Sequence, residues 1–224
     1  MALTKSLRLP WLYMVTPSVP STSSLVDKVE KALQGGVNVV QLRNKIYAAD
    51  SAELKSMAVA LRDLTRAYKV PLIINDHVSL ALEIGADGAH IGQEDTSVED
   101  AKAMIGSTDF ILGVTVRDAI QANAACKAGA TYLGVGPVYA SSTKQNANDG
   151  VTIGLEGLRS VATAAQAYNV PVVAIGGISL NRVKECMEAE ASGVAVVAAL
   201  SNAPDIHQAA SEMAERVFRS YIFH

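Results

Sequence analysis

The chain has 224 residues, 50% of them hydrophobic and 18% charged, which suits one globular domain with a large core that needs no disulfide or metal to hold it. Nineteen basic residues against 22 acidic ones leave a net charge of −3, so no overall positive field recruits nucleic acid and any anion site must be local. No apolar run nears the ~20 residues of a membrane span. The opening MALTKSLRLP lacks a signal-peptide core and cleavage site, so the expectation is a soluble, cytoplasmic protein with no membrane or nucleic-acid partner.

In chain order, WLYMV from Trp11 predicts a first strand, and Ser23 or Ser24 is placed to cap a helix running through Lys31. That helix stops at QGG before a second apolar run, VNVVQL from Val37. Asp50 precedes the amphipathic AELKSMAVALRDLTRAY, which leads into PLIIND from Pro71. GAHIG from Gly88 and FILGVTV from Phe110 follow, and Asp118 then opens a helix ending at AGA. TYLGVG from Thr131, VVAIGG from Val172 and GVAVVAAL from Gly193 complete the apolar runs, with Ser179 placed to cap LNRVKECMEA. Several helices stop at glycine and restart as strand, a helix C-cap feeding a short loop. Cys126 and Cys186 sit in helical patterns without a CxxC or a Cys/His cluster, so both read as reduced, helix-packing residues.

Continuous apolar runs, rather than alternating ones, fit parallel strands covered on both faces. Eight strand–helix units in this length predict a single (β/α)8 TIM barrel over residues 1–224. The structural alternative is a doubly wound open sheet, whose dinucleotide form loses support because no GxGxxG follows the first strand. In a barrel the chemistry belongs at the C-terminal strand ends.

Strand two ends in QLRNK, and period-two alternation points Gln41, Arg43 and Lys45 the same way. Two cations and an amide have no apolar role there and suit a di- or polyphosphate; the alternative is a solvated strand end with surface ion pairs. Asn75 and Asp76 end strand three, and Asp95 follows strand four. Separate carboxylates beside cations suit Mg²⁺ bridged to phosphate oxygens, although Asp76 and Asp95 could equally cap the next helices. His77 and His90 complete no metal spacing and read as structural, and Ser179 has no paired base that would make it a nucleophile. Gly176 and Gly177, with a short helix after strand eight, suit a phosphate, which barrels commonly bind at these two loops. The tally is two anion grips, one candidate metal site and no evident nucleophile.

GPVYASSTKQNANDG, residues 136–150, is the most polar stretch of the chain. A linker does not suit it, because strands seven and eight still follow. It reads as a mobile loop over about 139–150 that closes Ser141, Thr143 and Lys144 over substrate phosphates.

Taken together, VQLRNK, PLIINDHVSLAL, GADGAHIGQED, ILGVTVR, AGATYLGVGPVYASSTK and VPVVAIGGI resemble the thiamine phosphate synthase family, in that family's order and over nearly the whole chain. The resemblance implies a transferase joining 4-amino-5-hydroxymethyl-2-methylpyrimidine diphosphate to 4-methyl-5-(2-phosphoethyl)thiazole with Mg²⁺, releasing pyrophosphate. It implies Gln41 at the aminopyrimidine, and Arg43, Lys45, Asn75 and Lys144 at the diphosphate with Thr115 nearby. Asp76 and Asp95 would be the metal ligands. Ser141, Thr143, Gly177, Val197 and Ala198 would surround the thiazole phosphate. The family's fusion to a hydroxyethylthiazole kinase in some organisms, and a homo-oligomer, stay open.

Two positions depart from the family's pattern. Ser141 replaces a frequent Thr and keeps the hydroxyl, whereas Ala198 stands in a segment usually reading VVSA and lacks one. Weaker thiazole phosphate binding is the expectation. The alternatives are a thiazole tautomerase on the same barrel, which would not need the six residues Arg43, Lys45, Asn75, Asp76, Asp95 and Lys144, and a non-catalytic phosphate-ligand barrel.

Overall fold

The structure is a computed structural model describing residues 9–106, 109–141 and 151–222. The apolar runs form β1 (Trp11–Val15), β2 (Val39–Leu42), β3 (Leu72–Asn75), β4 (Gly88–Ile91), β5 (Ile111–Val116), β6 (Tyr132–Val135), β7 (Val172–Ile175) and β8 (Gly193–Val196). Every strand runs parallel to its sequence neighbours, and β1 pairs with β8 from Trp11 against Gly193 to Met14 against Val196. This closure makes the sheet a barrel and excludes the open doubly wound alternative.

Around it lie α1 (Thr22–Gln34), α2 (Ala52–Tyr68), α3 (Val78–Ile84), α4 (Val98–Ile105), α5 (Ala119–Ala128), α6 (Gly154–Gln166), α7 (Val183–Glu188), α8 (Ala198–Ser201) and α9 (Ile206–Ile222). The GVAVVAAL run is thus divided, its strand ending at Val196 and its AAL lying in α8. Among the described residues no helix is long and apolar enough to cross a membrane.

Helix starts differ from expectation by one to three residues. Ser21 caps α1 by accepting the Ser24 N–H, so Ser24 lies inside the helix rather than before it. Ser51, not Asp50, caps α2 through the Leu54 N–H. The buried stripes are Leu25, Val29, Ala32 and Leu33 on α1, and Leu54, Met57, Ala58 and Leu61 on α2. Asp118 caps α5 as expected, through the Gln121 N–H. The chain before α7 begins instead as a 3₁₀ turn, Leu180–Arg182, and the Ser179 side chain makes no capping bond. Cys126 and Cys186 are both free and buried against helices, as expected, and burial pushes the Cys186 thiol up to about 11.

Alternation along the strands divides the core in two. Leu12, Met14, Val40, Leu42, Leu72 and Ile74 face outward and pack under the helices. Trp11, Tyr13, Val15, Val39, Ile73, Ile111, Tyr132, Val173 and Ala195 fill the barrel interior. Aromatic bulk is concentrated on β1 and β6, where the Tyr132 ring meets Trp11 edge-on at 5.6 Å and Tyr13 at 5.9 Å. That crowding explains the glycine in the middle of β5. A Cβ on Gly113 would lie 2.1 Å from the Tyr132 ring and 2.4 Å from His90 Nδ1. The aromatic plug closes the barrel below and leaves its C-terminal mouth as the open end.

Candidate active site

A cavity of about 460 Å³ occupies that mouth, within the range of small-molecule sites. Its wall includes Gln41, Arg43, Asn75, Thr115, Ser141, Gly177, Val197 and Ala198, so the structure brings together residues from six of the eight strand ends. Thr143 and Lys144, and most of the stretch expected to move, lie outside the described residues.

The QLRNK segment reaches the mouth as period-two alternation demands, although the strand itself ends at Leu42. Gln41 is buried and donates from Nε2 to Tyr13 Oη at 2.8 Å. The Arg43 backbone is held by the buried Thr16 hydroxyl, and the Lys45 N–H donates to Ser18 Oγ at 3.0 Å. Asn44, facing the other way, is buried and donates to the Val19 carbonyl at 2.8 Å. The turn after β1 therefore fixes the segment that carries both cations.

Lys45 Nζ forms an ion pair with Asp76, and Asp76 in turn hydrogen-bonds Asp95. Neither acid caps a helix: His77 and Ser97 occupy the cap positions of α3 and α4. The helix-cap alternative for these two residues is therefore rejected. Asp76 adopts a left-handed backbone, φ 63°, with its N–H donating to the His90 carbonyl at 2.8 Å. A non-glycine residue in that region costs about 1 kcal/mol or more, a strain that clusters at functional sites. Asp95 accepts the Gly92 N–H at 2.7 Å, which turns its carboxyl back toward Asp76.

The two carboxyls are driven apart in acidity. Burial raises Asp76, but hydrogen bonds from Lys45 and Asp95 and the Lys45 charge outweigh it and hold Asp76 below the usual carboxylate range. Burial also raises Asp95; the Gly92 N–H opposes this, but the neighbouring Asp76 charge leaves Asp95 above that range. Two adjacent carboxyls resist joint ionisation, and the Lys45 ammonium pairs with the more acidic of them.

On the opposite side the wall is backbone and small side chains. Gly176 and Gly177 both take positive φ, 101° and 65°, and a Cβ on Gly177 would lie 2.3 Å from the Ala140 carbonyl oxygen. Only glycine lets β7 turn beneath the β6 loop here. That contact is clamped from outside. Arg182 donates to the Gly177 carbonyl at 2.6 Å and stacks 4.3 Å over the Tyr139 ring, whose hydroxyl donates to Glu185 at 2.7 Å. Val197 and Ala198 border the cavity at the start of α8, where the first helical amides lack intrahelical acceptors.

Sequence reasoning passed over several residues on this wall. Tyr13 and Tyr132 were concealed in apolar runs, though β1 alternation from Trp11 would have turned Tyr13 inward. Arg117 borders the cavity two positions beyond Thr115, and the same alternation would have found it. Ser179, expected as a cap, borders the cavity as well. His90, expected to be structural, is held by Tyr132 and Thr115 at 2.8 Å each and also borders the cavity.

A family model described as thiamine monophosphate synthase matches residues 12–200. The chain is 42% identical over 207 residues to a thiamine-phosphate synthase of Geobacillus kaustophilus, covering 92% of this chain and 91% of the relative. It is 43% identical over 203 residues to the Chloroflexus aurantiacus thiamine-phosphate synthase, covering 90% of each. Among solved structures, thiamine phosphate pyrophosphorylase from Pyrococcus furiosus superposes with a TM-score of 0.81 at 33% identity, over 97% of this chain and 98% of that one. A 3-hexulose-6-phosphate synthase structure, at TM-score 0.69 and 17% identity, shares the fold alone. The chain belongs to the thiamine monophosphate synthase family.

Proposed function

We propose that the protein joins 4-amino-5-hydroxymethyl-2-methylpyrimidine diphosphate to 4-methyl-5-(2-phosphoethyl)thiazole, forming thiamine phosphate and pyrophosphate. The observation that carries this reading is one cavity with Gln41, Arg43, Asn75 and Thr115 on one side and the glycine-turned backbone of Gly177 with Val197 and Ala198 on the other, with the Lys45–Asp76–Asp95 cluster in the loops just after β2, β3 and β4. Two anionic substrates of different size suit two such unlike walls.

In this reading the bond between the pyrimidine methylene carbon and the diphosphate oxygen breaks first, and its electron pair leaves with pyrophosphate. The electron-rich aminopyrimidine stabilises the resulting cation, and the thiazole nitrogen lone pair then forms the new C–N bond. Arg43 and Lys45 neutralise the departing diphosphate, joined by Lys144, with Asn75 and Thr115 as neutral contacts. Gln41 receives the aminopyrimidine. Ser141, Thr143 and the backbone of Gly177, Val197 and Ala198 hold the thiazole phosphate, so the acceptor nitrogen is in place when the cation forms. No enzyme nucleophile is required.

The Asp76–Asp95 pair fits a hard cation, because its two carboxyls crowd each other and a few carboxylates plus substrate oxygens suit Mg²⁺. Bound there, Mg²⁺ would add charge neutralisation of the leaving diphosphate. The tautomerase and the non-catalytic barrel are not favoured, since the relatives covering nine-tenths of the chain are synthases. We place the reaction in the cytoplasm.

Incubation of the purified protein with both substrates and Mg²⁺ should release pyrophosphate in proportion to thiamine phosphate formed. Release no greater than in a no-enzyme control would refute the assignment.

A further inference from the structure

Four hydrogen bonds of 2.8 Å each cross the barrel interior beneath the cavity, from Gln41 Nε2 to Tyr13 Oη, Tyr132 Oη, His90 Nδ1 and, from His90 Nε2, Thr115 Oγ1. Gln41, Tyr13 and Tyr132 are almost inaccessible to solvent, at 5%, 2% and 1% exposure, so water cannot replace a missing partner. Each phenol has one hydrogen to give, and a neutral imidazole has one N–H. With His90 as the neutral imidazole, the donor count along these four bonds has a single solution once its first member is set.

Gln41 donates to Tyr13, so the Tyr13 hydrogen must go to Tyr132. The Tyr132 hydrogen then goes to His90 Nδ1, which must be bare, and the His90 proton resides on Nε2 and is given to Thr115. Two consequences appear at the cavity wall. Gln41 presents its carbonyl oxygen, and the Thr115 hydroxyl keeps its own hydrogen to donate. Burial pushes both phenols well above their ordinary range, which keeps both hydrogens in place. The reverse order would turn the Gln41 amide to present N–H and would consume the Thr115 hydrogen inward, changing both ends at once.

We propose that Tyr13, Tyr132 and His90 form one oriented hydrogen-bond chain that holds His90 as its Nε2–H tautomer, and that they are positioning residues for Gln41 as an acceptor and Thr115 as a donor. The ligand side of this inference rests on the function proposed above: an amino group needs an acceptor, and a diphosphate needs a donor. The tautomer does not rest on it. His90 reads here as the coupling between two binding contacts contributed by β2 and β5.

The test is ¹⁵N NMR of the histidine-labelled protein, with His90 assigned by loss of its signals in His90→Gln. At neutral pH the expected spectrum has His90 Nδ1 bare and Nε2 protonated, and Tyr132→Phe should abolish that preference. A protonated Nδ1 in the wild-type protein, or a tautomer unmoved by Tyr132→Phe, overturns the proposal. In turnover, Tyr132→Phe should raise the KM for the pyrimidine diphosphate about fivefold to tenfold, the worth of one neutral hydrogen bond. The KM for the thiazole phosphate should stay put; an equal rise in both, or in neither, also overturns it. A protein with the expected tautomer but no pyrophosphate release would refute the functional reading while leaving the oriented chain standing.

Discussion

From β2 to β5 the barrel mouth is walled by Gln41, Arg43, Asn75, Thr115 and Arg117, with the Lys45–Asp76–Asp95 cluster in the loops just after β2, β3 and β4, outside the cavity's own lining. From β6 to β8 it is walled by Ser141, Gly177, Val197 and Ala198, which offer chiefly backbone. The first wall works through Coulomb forces and tolerates solvent, since Lys45 is 52% exposed. The second depends on where the chain is bent, and it is braced from outside by Arg182 and Tyr139. A binding wall made of charge fails when a charge is removed, whereas one made of backbone fails when a side chain is added.

Substitutions that break each wall should therefore differ in kind. The largest effect is expected from Asp95→Asn, which removes one carboxylate of the pair while preserving shape. Turnover should fall about 10²–10³-fold, most severely at low Mg²⁺, as read from the initial rate of pyrophosphate release against Mg²⁺ concentration. Wild-type metal dependence would remove Asp95 from the ligand set. Next comes Gly177→Ala, whose Cβ would strike the Ala140 carbonyl at 2.3 Å in a backbone that disfavours any side chain. The KM for the thiazole phosphate should rise about tenfold or more, with the pyrimidine diphosphate little affected. An equal change in both constants would show that the two walls are not separable.

Smaller effects sharpen the boundary between the walls. Arg117 lies on the β5 side beside Thr115, so Arg117→Ala should raise the pyrimidine diphosphate KM about fivefold, as for a partly solvated ion pair. A change confined to the thiazole phosphate would move Arg117 to the other wall. The smallest expected effect is a gain: Ala198→Ser should lower the thiazole phosphate KM about threefold by restoring one hydroxyl to the backbone pocket. No change would mean that the backbone, together with the Ser179 hydroxyl on the same wall, already suffices.

The same contrast explains what could be read from residues alone. The strands of the barrel were legible because parallel strands are apolar on both faces, and short β-branched runs such as VVAIGG, set between amphipathic segments, match that pattern. Helix starts were displaced because neighbouring Ser and Asp residues compete to cap, and Ser21 takes the place on α1 by accepting the Ser24 N–H. The charged wall was legible because Arg43, Lys45, Asp76 and Asp95 have no role in a core. Glycines at 176 and 177 signalled a turn, but the carbonyl packed against Gly177 comes from Ala140 on another strand's loop. Tyr13 and Tyr132 were illegible for a related reason: in an apolar run a tyrosine looks like core, and only the assembled barrel shows its hydroxyl bonded across the interior.

The division of labour between the walls is tested most directly by a crystal structure of the protein with Mg²⁺, pyrophosphate and thiamine phosphate bound. Pyrophosphate should lie against Arg43 and Lys45, with the metal between it and Asp76 and Asp95, and the thiamine phosphate group on the amides of Gly177 and Ala198. A phosphate monoester seated on Arg43 and Lys45, with pyrophosphate at Gly177, would contradict it.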